Sequence, residues 1–471
     1  MLFNSIQFVL FLPFIIFFYY LLPAKYRWIL LLAGSYFFYM SWRAEYGLLL
    51  LFSTLTDYFC ALRMDALPTR KARLPYLIFS LLSNLGLLFL FKYFDFFSEN
   101  TNILLSHLGF EVHLPLLSLL LPVGISFYTF QTLSYSIDVY LGTQKAERHL
   151  GYFALYVSYF PQLVAGPIER FSSLNPQLQS PHRFRYKNLA HGLRLILFGL
   201  FIKMVVADNL SVFVDKVYAN PDVYTSSDIL ISWLFYSFQI YADFYGYSLV
   251  ALGSALLMGV RLMDNFRSPY LARSMAEFWQ RWHISLSTWF RDYVYYPLGG
   301  NRSSRLRWML NIMVVFVLSG IWHGANQTFV VWGVSLGVIY LAEKQLGRLL
   351  HIQSDRGPFR LLHVPAMLKT FVLVTLTWVF FRSPHIGAAW HMLALPFSER
   401  GIISEQLHIP LTVWLFLALF ILSDIFLYTK RPDTWLDKWP LLLRWSTYSL
   451  LVFAIIVFSG VEDFPFIYFQ F

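Results

Sequence analysis

Two histidines, His283 and His323, are the side chains of this 471-residue chain whose surroundings best suit proton transfer. His323 follows Val-Phe-Val-Leu-Ser-Gly-Ile-Trp and precedes a second apolar run beginning at Thr328. A polar group in such a setting needs a partner or a function. Burial favours the uncharged imidazole, the form that can take a proton from a hydroxyl. Gly320, Gly324, Asn326 and Gln327 suggest a small polar-lined break where a substrate could enter, with Asn326 a candidate donor to a developing oxyanion. The competing reading is a hydrogen bond that merely joins two helices.

His283 stands in FWQRWHISLSTWFRD, beside Trp282 and between Arg281 and Arg291. Guanidinium groups pair well with phosphate, whether of a lipid or of a nucleotide-containing donor. Headgroup contact and snorkelling explain either arginine equally well. Asp243, inside a long aromatic run, either lines a cavity or makes a packing hydrogen bond. Gly333-Val-Ser335-Leu-Gly337 matches the GxSxG hydrolase pattern, but that motif needs a strand–turn–helix context. In an apolar span the same residues read as GxxxG, a face for close helix packing. The chain contains no phosphate-binding P-loop, HExxH or dinucleotide fingerprint, so nucleotide hydrolysis and zinc proteolysis lack sequence support. A single cysteine, Cys60, reads as a small buried hydrophobe and leaves no multi-cysteine metal site.

These residues must be held by an apolar framework. The chain is 58% hydrophobic and 20% aromatic but only 13% charged, where soluble chains carry about a quarter. The apolar runs are too long for barrel strands, so they predict an all-α polytopic membrane protein. The charge of +10 falls in loops, where a cytoplasmic Lys/Arg excess is expected, and does not imply nucleic acid. Candidate spans begin at residues 5–22, 28–42, 46–62 and 74–94. They continue through apolar runs at 114–140 and 150–167, with YFPQLVAGPIER (159–170) a candidate broken helix, then 190–207 and 229–260. The last are 308–341, read as two short helices meeting near Gly320, then 365–381, 411–428 and 445–460. This gives roughly 11 spans in one membrane domain, with re-entrant or broken helices around a central cavity. Segment 261–308 and the stretch 343–369 read as cytoplasmic, and Ala276–Phe290 as one amphipathic interfacial helix. The ending EDFPFIYFQF is expected to pack against the outer face.

Four stretches carry a family resemblance: YFPQLVAGPIER (159–170), YADFYGYSLVALG (241–253), SPYLARSMAEFWQRWHISLSTWFRDYVYYPLGGNR (268–302) and LSGIWHGANQTFVVWG (318–333). The ending PFIYFQF adds to them. The chain resembles the membrane-bound O-acyltransferase (MBOAT) superfamily, in its alginate O-acetyltransferase branch. The resemblance implies that His323, in its WHG setting, is catalytic and that His283, which falls on the family's second histidine, is the other catalytic residue. Tyr245 and Leu249 depart from the branch pattern, which has serine and aspartate there. The resemblance further implies acetyl-CoA as a cytoplasmic acyl donor substrate, with no bound cofactor or metal. It implies acetylation of an extracytoplasmic polysaccharide such as alginate, cellulose or peptidoglycan, at the bacterial inner membrane. The implied partners are a periplasmic SGNH-type acetyltransferase with a serine nucleophile, or a polysaccharide biosynthesis complex, together with membrane lipid. Broken helices and an intramembrane Asp243 would also suit a transporter, and a scaffold of an export complex is a third reading.

Overall fold

Among the described residues every regular element is a helix. The computed structural model describes residues 1–110, 112–164, 166–349, 360–398, 406–428, 430–459, 466 and 467. In chain order the helices are α1 (Ile6–Leu21), α2 (Arg27–Met40), α3 (Tyr46–Ala66), α4 (Arg70–His107) and α5 (Ile125–Leu141). Then come α6 (Leu150–Ser158), α7 (Phe160–Leu163), α8 (Phe171–Gln179), α9 (Tyr186–Ala219) and α10 (Ser226–Leu257). The remainder are α11 (Met275–Arg281), α12 (Ile284–Phe290), α13 (Arg305–His323), α14 (Gln327–Leu349), α15 (Val364–Arg382), α16 (Ile386–Ala394), α17 (Leu411–Phe426) and α18 (Leu441–Phe458).

Eight of these helices are long and apolar enough to cross a membrane: α3, α4, α9, α10, α13, α14, α15 and α18. This corrects the expectation of about eleven spans. The expected first span is a helix of only 16 residues that runs on through Pro13, and residues 28–42 give only 14 helical residues. Pro115 and Pro122 keep the chain before Gly124 out of helix, so the run from residue 114 becomes helical only at Ile125. The candidate broken helix is present, with a break at Tyr159 between α6 and α7.

The chain divides into two compact units. One comprises Met1–Leu193 with Ala251–Met263, the other Arg194–Val250 with Asp264–Phe471. Within the first, α3, α4 and α5 pack around Asp57, which is buried. Its carboxylate accepts hydrogen bonds from Ser80 Oγ (2.5 Å), Asn84 Nδ2 (3.0 Å) and Ser136 Oγ (3.2 Å). Cys60, on the same helix, is buried and free, as a small hydrophobe would be.

The second unit contains both histidines. Its tightest packing is the hairpin of α13 and α14. A Cβ on Gly320 would lie 2.3 Å from the Phe329 carbonyl oxygen, and one on Gly333 would lie 2.4 Å from that of Phe316. Only hydrogen fits at either position, so the backbones approach as in small-residue membrane pairs. The two helices meet at Gly324–Asn326, one turn beyond the expected Gly320, because Asn326 Oδ1 caps the second helix through the Thr328 N–H (3.0 Å). Of the ending EDFPFIYFQF only Phe466 and Ile467 are described, both buried, so these two are not surface residues. The other residues of that ending, and 350–359 of the basic stretch 343–369, lie outside the described residues.

Candidate active site

Ser274 starts the segment that carries the first histidine. Its Oγ accepts the Glu277 N–H (3.2 Å), while the Glu277 carboxylate takes the Arg273 N–H (2.9 Å), so the entry to α11 is capped from both directions. The expected single helix over Ala276–Phe290 does not form. It splits into α11 and α12 at Trp282 and His283, and His283 has φ +42°, a left-handed conformation rare outside glycine. Both residues are enclosed by the protein, each 0% exposed.

Asn265 fixes the break. Its carbonyl accepts the Ile284 N–H (3.0 Å), its Oδ1 accepts Ser285 Oγ (2.7 Å), and its Nδ2 donates to Ser248 Oγ (3.3 Å). Arg267 N–H donates to the Arg281 carbonyl (3.0 Å) alongside. The histidine is thereby held by backbone hydrogen bonds on both sides of its turn. Burial pushes its imidazole down to about 3 from 6.5, which leaves it neutral at ordinary pH.

His323 is the last residue of α13 and is 3% exposed. Three aromatic rings enclose it edge to face: Trp322 (4.9 Å), Trp332 (5.0 Å) and Phe381 (5.3 Å). Trp332 stacks on Trp378 at 5.5 Å, and Trp378 touches Trp282 at 5.1 Å. The Trp378 indole N–H donates to Tyr270 Oη (3.1 Å), whose own proton goes to the Ser237 carbonyl (2.6 Å). Trp322 also faces His283, with centroids 5.8 Å apart, and Phe244 closes the other side of that ring at 4.7 Å. Both histidines therefore border one indole. An enclosure of this kind excludes water and strengthens any electrostatic interaction inside it.

The remaining candidates are committed elsewhere. Arg281 donates to Glu277 Oε1 (2.8 Å), to the Arg267 carbonyl (3.0 Å) and to Tyr428 Oη (2.7 Å), and its guanidinium covers the Tyr428 ring at 4.4 Å. Arg291 pairs with the adjacent Asp292 (2.9 Å) and stays 52% exposed, so its charge faces outward. Trp282 packs among Phe278, Phe266, Tyr270 and Trp378. Asp243 is ion-paired with Lys203 (2.7 Å), which also holds Asp208 (2.6 Å), and it accepts the Ile467 N–H (2.7 Å). Asn326 has both ends of its amide in use, Nδ2 donating to the Pro384 carbonyl (2.7 Å). Tyr245, one departure from the branch pattern, stacks on Tyr241 at 5.4 Å, and Leu249 is buried.

Lys203, Trp322, Trp332 and Phe381 were not singled out from sequence. Lys203 could have been found as a cation inside an apolar run. Phe381 carries no local signal at all.

The family model described as MBOAT, membrane-bound O-acyltransferase family, matches residues 148–382, a range containing both histidines. The "Probable alginate O-acetylase" of Pseudomonas aeruginosa is 38% identical over 92% of this chain and 84% of its own length. The chain belongs to the membrane-bound O-acyltransferase family. It is an acyl-transferring enzyme and a multi-pass inner-membrane protein. The "Peptidoglycan O-acetyltransferase" of Helicobacter pylori is 36% identical over 77% of this chain and 72% of its own length. A more distant relative, the "Teichoic acid D-alanyltransferase" of Bacillus subtilis, is 28% identical over 49% of this chain and 60% of its own length. Relatives named for quite different acceptors thus resemble this chain.

Proposed function

We propose that this enzyme moves an acetyl group from acetyl-CoA on the cytoplasmic face to a hydroxyl acceptor, for O-acetylation of an extracytoplasmic polysaccharide of the alginate type. The acceptor reading rests on the P. aeruginosa relative, similar over nearly the whole chain. In this reading a cavity reaches His323, whose imidazole takes the hydroxyl proton as the oxygen attacks the thioester carbonyl. The carbon–sulfur bond then breaks, and the proton passes from the imidazolium to the departing thiolate. His283, neutral and fixed across Trp322, orients the reactants. Arg291, half-exposed, meets the phosphates of the donor, while Arg281 braces the turn that carries His283. A periplasmic SGNH-type acetyltransferase would receive the acetyl group and modify the polymer.

The observation that carries this reading is the aromatic enclosure of His323 at a helix end. A protein scaffold or a carrier has no need of an imidazole walled off in that way. In membrane vesicles supplied with [14C]acetyl-CoA, His323→Ala should lose acetyl transfer by at least about 10³-fold while its thermal unfolding stays close to wild type. Wild-type turnover in that variant would remove His323 from the chemistry. Acetylated peptidoglycan instead of acetylated alginate in the producing cell would favour the second acceptor, suggested by the H. pylori relative.

A further inference from the structure

The reaction just described develops negative charge on the acyl carbonyl oxygen, and Asn326, the donor expected from sequence, is already occupied at both ends. Two other donors lie on the first turns of α14. Thr328 is 0% exposed and Trp332 is 1% exposed, and neither Thr328 Oγ1 nor Trp332 Nε1 has a hydrogen-bond partner among the described residues. Their spacing of one helical turn puts them on a common face. Trp332 stands perpendicular to the imidazole of His323.

Buried donors are nearly always paired, because leaving one unpaired forfeits its hydration with no return. Phe381, which packs on Trp332 at 5.1 Å, brings only a hydrocarbon ring and no acceptor. An indole N–H can only donate, so the pair suits an oxygen rich in electrons and not a cation. The 23-residue helix adds the positive end of its dipole at the same place.

We propose that Thr328 Oγ1–H and Trp332 Nε1–H donate hydrogen bonds to the acyl carbonyl oxygen and stabilise the oxyanion formed beside His323. This rests on the reading of His323 as the base. The oxygen of the acceptor bonds to the carbonyl carbon, its proton goes to His323, and the carbonyl π electrons move onto the oxygen held by these two donors. They return as the carbon–sulfur bond breaks and the thiolate leaves with the proton.

The test uses Thr328→Val and Trp332→Phe in the full-length enzyme, in inverted membrane vesicles of the producing strain supplied with [14C]acetyl-CoA, with Thr328→Ser and His323→Ala alongside. Each of the first two should lower kcat by about 10- to 1,000-fold and shift the KM for acetyl-CoA by less than about threefold. The melting temperature of each should be unchanged or raised, since an unpaired buried polar group is removed. Thr328→Ser should keep most of the activity. Wild-type kcat in both Thr328→Val and Trp332→Phe, with His323→Ala inactive, would overturn this proposal alone. Loss of activity that merely tracks loss of folded protein would also overturn it. An active His323→Ala would instead remove the base on which it rests.

Discussion

At position 283 a histidine occupies backbone space that usually belongs to glycine, at a cost of about 1–3 kcal/mol. The hydrogen bonds from Asn265 hold it there, and the same burial that fixes the ring makes it hard to protonate. Because its folded value of about 3 lies below the ordinary 6.5, the unfolded chain binds the extra proton between those limits. Stability should therefore fall as pH drops from 6.5 toward 3, by about 1.4 kcal/mol per pH unit. Glu169 acts in the opposite direction. Burial raises it from 4.5 to about 7, so the folded chain holds the extra proton and stability falls as pH rises through that window. The two slopes oppose each other between 4.5 and 6.5, and only single variants separate them. His283→Asn, which tolerates the left-handed backbone and does not titrate, should close its stability gap to wild type as pH falls. Parallel unfolding curves from pH 7 to 4 would show that the ring is not buried as described. The burial of His323 was legible in the sequence because a lone imidazole between two apolar runs must leave water with them. The enclosure of His283 was not, since its neighbours Phe244 and Trp322 come from distant parts of the chain. Asp243 shows the reverse error: its depth was readable, but its partner Lys203 on another helix was not.

The elements around these residues follow simple packing rules with one exception. Gly333 and Gly337 were readable as a close-packing face, and Gly333 does meet Phe316 and Gly320 across the α13–α14 hairpin. A methyl group at Gly320 would have to displace the Phe329 backbone, which is part of a helix and cannot swing aside as a side chain would. Gly320→Ala should thus destabilise the protein by about 1–3 kcal/mol and separate His323 from Trp332, so that acetyl transfer falls further than folded protein does. Differential scanning fluorimetry paired with acetyl-transfer assays would measure both. An active, wild-type-stable Gly320→Ala would mean that the hairpin is looser than its glycines imply. The exception is the break between α11 and α12. Helical periodicity from Ala276 to Phe290 is unbroken in the sequence, with no glycine or proline to mark an end. The interruption comes from tertiary hydrogen bonds to Asn265, which outcompete local propensity and which no window of sequence could reveal.

For the molecule as a whole, composition settles the class and leaves the count of spans open. Apolar runs fill membrane-spanning helices, short buried helices and extended segments alike, which is why about eleven candidates reduce to eight helices of sufficient length. The distribution of charge is more informative about direction. Arginines crowd segment 261–308, and Arg291 within it stays half-exposed, so an anionic donor should approach from the face that bears this segment. Sealed vesicles separate the possibilities. Inverted vesicles given [14C]acetyl-CoA outside should transfer label to the lumenal polymer, whereas right-side-out vesicles should not until they are permeabilised. Transfer in both orientations would place donor and acceptor sites on no fixed sides. Uptake of intact acetyl-CoA into the lumen would make the protein a carrier and leave the acyl transfer to another enzyme. One-sided use of the donor, with labelled product on the opposite side, is the outcome expected of a transferase that carries the acetyl group across the bilayer.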